Sequence, residues 1–131
     1  MPKVEDLWKK IKRGEIFNAN LDPVLGHEQG GNRPVLVLQN NHSLKRCPTV
    51  LVAPLTKMIN KKYDLPTHVY IEPSNYLKYD SVVLAEHIRE IDRSRITYYL
   101  TTLTKKQQKL VDKAIINAFG LSIKEINLYE K

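Results

Sequence analysis

The chain is 131 residues long, 42% hydrophobic, with one cysteine and a net charge of +7. That is one domain, able to bury roughly 65–70% of its unfolded surface. It excludes a two-domain enzyme, a disordered chain and a disulfide-framed secreted scaffold. No apolar run approaches the roughly 18–20 residues of a membrane span. The first residues, Met1 to Asp6, lack the basic-then-apolar layout of a signal peptide, so a cytoplasmic protein is expected.

The expected order is helix, strands, helix. Val4, Leu7, Trp8 and Ile11 recur at helical spacing, with Gly14 beyond them, which predicts a short amphipathic helix over residues 4–12. Strand-like runs follow at Glu15–Leu21, Pro34–Asn40, Thr49–Leu55, His68–Glu72, Ser81–Ala85, Ile88–Ile91 and Tyr98–Leu103. The second and third are nearly continuous apolar runs, as buried strands should be. Asp22-Pro23, Gly30-Gly31, Cys47-Pro48, Pro66 and Pro73 punctuate them, and Asn40 to Ser43 reads as a loop. Thr104 and Gln107 fit a capping box that opens a helix with Leu110, Val111, Ala114, Ile115, Ala118 and Phe119 on its apolar face, ended by Gly120. Ser122 and Glu125 fit a second box and a short final helix. The fold class is therefore mainly β (α+β): a small twisted barrel or sandwich with a C-terminal helix and an extra N-terminal amphipathic helix. The expected division is residues 1–12 as an extension, 13–103 as the β unit and 104–131 as C-terminal helices.

The charge is uneven. Between Gln29 and Tyr63 stand Arg33, Lys45, Arg46, Lys57, Lys61 and Lys62, with no acid. A phosphate-binding footprint and a set of lysine-rich solvated loops both account for this.

Candidates for chemistry are few. His27, His42, His68 and His87 are scattered, and there is no CxxC, Walker loop, GxGxxG or GxSxG, so no metal or cofactor is expected. Cys47 follows two cations that could activate it, but a small apolar residue at a loop-to-strand junction is the plainer account. Gly26-His27-Glu28-Gln29-Gly30-Gly31-Asn32-Arg33-Pro34 holds three of the five glycines. Pro34 biases Arg33 to an extended backbone, which suits a guanidinium aimed at phosphate. On spacing alone, a glycine-rich turn with a surface arginine accounts for it slightly better. Thr56, between a buried run and Lys57, could donate to an anionic oxygen or simply close a strand.

These strings resemble the MazF/PemK family of toxin–antitoxin endoribonucleases, or mRNA interferases. Arg13-Gly14-Glu15-Ile16 is similar to the family's opening. Leu21 to Val37, carrying Glu28-Gln29-Gly30-Gly31-Asn32-Arg33-Pro34, is similar to its E-Q-x-G-x-R-P signature. Thr49 to Thr56 resembles its second strand, and Asp80 to Asp92 its S-V-x-L-x-E-x-I-R-x-I-D element. The resemblance runs over roughly residues 13–120.

The resemblance implies an SH3-like twisted β-barrel, a homodimer and metal-independent cleavage of single-stranded RNA. The ribose 2′-OH attacks phosphorus, leaving 2′,3′-cyclic phosphate and 5′-OH ends. Arg33 and Thr56 fall on the catalytic positions. Glu28, Gln29, Gly31, Asn32, Lys57, Glu86 and His87 fall on the RNA-binding surface. A guanidinium is a poor base, so Glu28 or His27 is the better acid/base candidate. The implied partner is a cognate antitoxin whose acidic disordered tail competes with RNA for the basic groove. Three features depart from the family: His27 replaces a serine, His87 stands where many members have glutamine, and residues 1–12 precede the usual start. The rival expectations are a CcdB-like gyrase-binding toxin, which lacks the Arg/Thr pair, and a non-catalytic RNA-binding module.

Overall fold

The computed structural model describes residues 11–28, 30–58, 65–122 and 124. The expected N-terminal and final helices fall mostly outside these residues; Ile11 and Lys12 themselves are irregular. The described chain runs β1 (Glu15–Asn20), β2 (Asn32–Val37), α1 (Asn41–Leu44), β3 (Thr49–Lys57), β4 (His68–Ile71), β5 (Ser81–Leu84), β6 (Arg89–Asp92), β7 (Ile96–Thr102) and α2 (Lys105–Phe119). The strands pair antiparallel in the order β4-β5-β3-β2-β1-β7, with β6 also on β3. Among the described residues no ladder joins β4 to β7, so the sheet is open.

Alternation along the strands produces two cores. Ile16, Leu36, Leu38, Ala53 and Leu55 share one cluster with Val111 and Ala114 of α2. Phe17, Ala19, Val35, Val37, Val50 and Val52 share the other with Ile91 and Ile96. The central strands are thus buried on both faces, which is why β2 and β3 read as unbroken apolar runs.

Helix α2 opens on the expected capping box. Thr104 Oγ1 accepts from Gln107 N–H at 3.1 Å, and Gln107 Oε1 accepts from Thr104 N–H at 2.9 Å. Such a cap is worth about 1 kcal/mol. Arg13 fastens the helix to the sheet: Nη2 donates to Asp112 at 2.7 Å and Nε to Leu38 O at 2.8 Å.

Two elements depart from the sequence expectation. Asn40 to Ser43 is not a plain loop, because Asn40 Oδ1 accepts from Ser43 N–H at 2.9 Å and caps the one-turn α1. Ala85, expected to end a strand, instead opens a 3₁₀ turn over Ala85–His87. The register explains the turn. β3 pairs Leu55 with Val83 and then Val52 with Arg89, so the partner strand spends extra residues opposite Ala53 and Pro54. Pro54 has no N–H to give a neighbour, and a central strand tolerates proline where its partner leaves the ladder.

Candidate active site

Arg33 and Thr56 come together through register and parity. The β2–β3 ladder pairs Val35 with Pro54, Leu36 with Ala53 and Val37 with Val52. Continued by two residues, the same register sets Arg33 opposite Thr56. Both lie in step with the residues of the second core, Val35 and Val37 on β2 and Val50 and Val52 on β3, so they share that face.

The ladder itself stops before reaching them, and Pro34 is the reason. Leu38 N–H donates to Leu51 O, so alternate residues 38, 36 and 34 turn their backbone toward β3. Position 34 has no proton for the Leu55 carbonyl opposite it. Arg33 Nη1 approaches that carbonyl instead, at a long 3.5 Å. Strand β2 stays paired with β1 through Asn32, so its end parts from β3 alone. The parting opens a cleft of about 270 Å³, walled by Asn32, Arg33, Thr56, Lys57, Tyr79 and apolar neighbours.

The glycine-rich loop aims the guanidinium. Gly30 O accepts from Arg33 Nε at 2.9 Å. A Cβ on Gly30 would lie 2.6 Å from Val24 Cγ2 and 2.8 Å from Asp22 Oδ1, so only glycine fits without displacing them. Gly31 adopts φ +73°, and its N–H donates to Asp22 Oδ1 at 2.8 Å. The loop is stitched at its base by Leu21 N–H to Gly31 O, 3.0 Å. Two carbonyls therefore hold Nε and Nη1, while Nη2 has no partner among the described residues. An arginine held this way presents a fixed pair of donors to an oxyanion.

Lys57 stands beside it, its Nζ 3.6 Å from the centroid of the Tyr79 ring. This cation–π contact pins a flexible ammonium at the cleft mouth. Tyr79 is 59% exposed, a large aromatic left in water next to two cations. Sequence reasoning passed over Tyr79; the signal was a tyrosine two residues before the apolar strand at Ser81.

A second cleft, of about 190 Å³, is lined by Glu28, Pro54, Glu86, His87, Ile88 and Arg89. Glu28 thus shares a cleft with Glu86 and His87, some sixty positions further along the chain. Their chemistry differs. The Glu28 carboxylate accepts from Leu25 N–H, which folds it onto its own turn. Glu86 is engaged by His68, whose Nε2 lies 2.7 Å from Oε2. Burial alone would raise the Glu86 carboxyl, but bonds from its own backbone N–H, His68 and Thr67, with the His68 charge, hold it below the ordinary value. His27 is exposed on the loop and lines neither cleft. Gln29, Lys61 and Lys62 lie outside the described residues. Lys45 and Arg46 are exposed beyond α1 and line neither cleft, so of the four described cations of that stretch Arg33 and Lys57 are placed at the site.

The chain was compared with known proteins. Residues 12–119 match the family model described as PemK-like, MazF-like toxin of type II toxin-antitoxin system. A curated relative, Endoribonuclease MazF of Staphylococcus saprophyticus, is 48% identical over 112 residues, 85% of this chain and 92% of that protein. Among solved structures, MazF of Deinococcus radiodurans superposes with a TM-score of 0.71 at 29% identity, covering 85% of this chain and 97% of that one. A mycobacterial endoribonuclease in complex with its cognate antitoxin gives 0.68 at 25% identity, covering 86% and 97%. With a family model spanning most of its length and a curated relative at nearly half identity, this chain belongs to the PemK/MazF family of toxins of type II toxin–antitoxin systems.

Proposed function

We propose that the protein is a toxin endoribonuclease that cleaves single-stranded RNA by attack of a ribose 2′-OH on the adjacent phosphorus, without a metal. The observation that carries this reading is the Arg33 guanidinium, held by Gly30 O at 2.9 Å in a cleft shared with Thr56. RNA brings its own nucleophile, so the enzyme must chiefly stabilise charge on the phosphorane oxygens. Arg33 does so through its Nη groups, and the Thr56 hydroxyl adds a donor from the facing strand. Glu28, beside Pro54 in the second cleft, is the preferred acceptor for the 2′-proton over His27, which lines neither cleft. Asn32, Gly31, Gln29 and His87 belong to the RNA-binding surface of the same reading.

Several broader features belong to this proposal. The open sheet curls toward an SH3-like barrel, as its two opposed cores support. The N-terminal segment forms an amphipathic helix, the whole chain is one domain, and the protein works as a cytoplasmic homodimer. Among the described residues no helix is long and apolar enough to cross a membrane. The proposed partner is an antitoxin whose acidic disordered tail occupies the basic cleft.

The deciding experiment incubates purified protein with a long RNA in EDTA and identifies the product ends. Cyclic phosphate and 5′-OH ends, with cutting lost in Thr56→Val and kept in Thr56→Ser, are expected. Cutting only on addition of Mg²⁺ overturns the metal-free chemistry, and no cutting at all returns the chain to a non-catalytic role.

The Lys57–Tyr79 pair makes a separate prediction about binding. On a 2′-O-methyl RNA that cannot react, Lys57→Ala should weaken affinity for all sequences and flatten the log–log salt slope by about 0.7. Tyr79→Leu should weaken affinity with the slope unchanged, because a stacked base releases no counterion. A salt slope that is flat in the parent protein contradicts the basic-cleft model.

A further inference from the structure

Glu86 bears one of the carboxylates at the second cleft, yet its Oε2 is already engaged. His68 Nε2 lies 2.7 Å from that oxygen, and the Glu86 backbone N–H and the Thr67 side chain also favour the charged carboxylate. A carboxylate only accepts, so Nε2 carries the proton of that bond. The His68 side chain is 8% exposed, and the pair is therefore well shielded from water on the histidine side. Next to it, Ala85 N–H donates to Thr67 O at 2.9 Å, and Ala85 is buried in the first core.

These contacts sit where the fold most needs an anchor. The Ala85–His87 turn is squeezed out between β5 and β6, opposite Pro54, and has no ladder of its own. Immediately after Glu86 come His87, Ile88 and Arg89, three of the residues that line the second cleft. Arg89 is held by its ladder to Val52, but whatever fixes Glu86 also fixes how the His87 imidazole, next to it in the turn, is presented there.

We propose that Thr67, His68 and Glu86 form a latch, and that Glu86 is a positioning residue which sets base preference through His87 rather than by reading a base itself. The inference rests on the RNA-cleaving reading above and adds residues from β4 and the turn preceding it, Thr67 and His68, which sequence reasoning did not assign to the site.

The test is cleavage of a randomised RNA pool, with preference read at each position around the cut. Glu86→Ala and His68→Ala should relax preference at the same one or two positions by about 10-fold, the scale of losing a charged hydrogen bond. The double variant should relax it no further, since both act on one contact. Glu86→Gln keeps an acceptor for His68 and Thr67, and His68→Gln keeps a donor for Glu86, so each should stay within about 2-fold of the parent. His68→Gln also covers the case in which His68→Ala fails to fold.

Amide hydrogen exchange at His87 and Ile88 gives a readout that needs no RNA; Glu86→Ala should speed it and Glu86→Gln should not. A parent protein that cuts no RNA would overturn the nuclease reading, while the exchange experiment would still decide the latch. Altered base preference in Glu86→Gln with none in His68→Ala overturns the proposal, because the carboxylate would then be reading the base. Unchanged exchange in Glu86→Ala overturns it as well.

Discussion

Replacing Arg33 with alanine is expected to lower RNA cleavage by about 10²–10³-fold, the cost of removing one preorganised oxyanion donor from an active site. Stability should change by less than about 1 kcal/mol, because the side chain is only partly buried and its two bonds are one of 2.9 Å to Gly30 O and a long one of 3.5 Å to Leu55 O. Arg33→Lys should recover little. Lysine has one donor group on a flexible stem, and it cannot hold Gly30 O and two phosphate oxygens together. Single-turnover rates on a short RNA measure the chemical step, and chemical denaturation measures the fold. A rate within about 3-fold of the parent in Arg33→Ala would remove the guanidinium from the mechanism. Equal losses of rate and stability would recast Arg33 as a clamp for the loop.

The backbone conditions for that arginine explain what could and could not be read in advance. Strand runs were legible because two-sided burial leaves unbroken apolar stretches, as at Val50 to Leu55. The α2 cap was legible because Thr104 and Gln107 satisfy each other across one turn, a purely local bond. Arg33 and Thr56 were singled out as residue types, but their pairing was carried by family resemblance. The physical reason for it is the β2–β3 register and the missing proton of Pro34, and register between two strands is not a local property.

The same limit applied elsewhere. Ala85 reads as one more apolar strand residue, and what ends the strand there is Pro54, thirty-one positions earlier on its partner. Glu86 reads as a base-facing carboxylate, and what occupies it is His68, eighteen positions away. The one-turn α1 was missed for a different reason: Asn and Ser cap short helices and populate loops alike. The candidate site is thus legible in its residue types and opaque in its contacts.

The second large effect lies beneath the same strand. Phe17→Ala is expected to cost about 3–5 kcal/mol of folding free energy, a large share of the roughly 5–15 kcal/mol typical of a domain. Phe17 is 1% exposed, and its ring meets Tyr99 edge-on with centroids 5.7 Å apart at 76°. It pairs across β1–β2 with Val35, two residues from Arg33. Truncation would leave a cavity in the second core, the face that ends in the Arg33–Thr56 cleft. Urea unfolding should show a lower midpoint with an unchanged slope. Phe17→Leu should lose clearly less stability, and its folded molecules should still cut RNA, since the backbone that aims Arg33 is set by Pro34 and Gly30 rather than by ring volume. A loss under about 1 kcal/mol in Phe17→Ala would mean that the second core is not packed tightly enough to hold β2. If Phe17→Leu folds yet loses cleavage as fully as Arg33→Ala, then aiming of the guanidinium depends on core packing, and the Gly30 and Leu55 carbonyls are not sufficient to hold it.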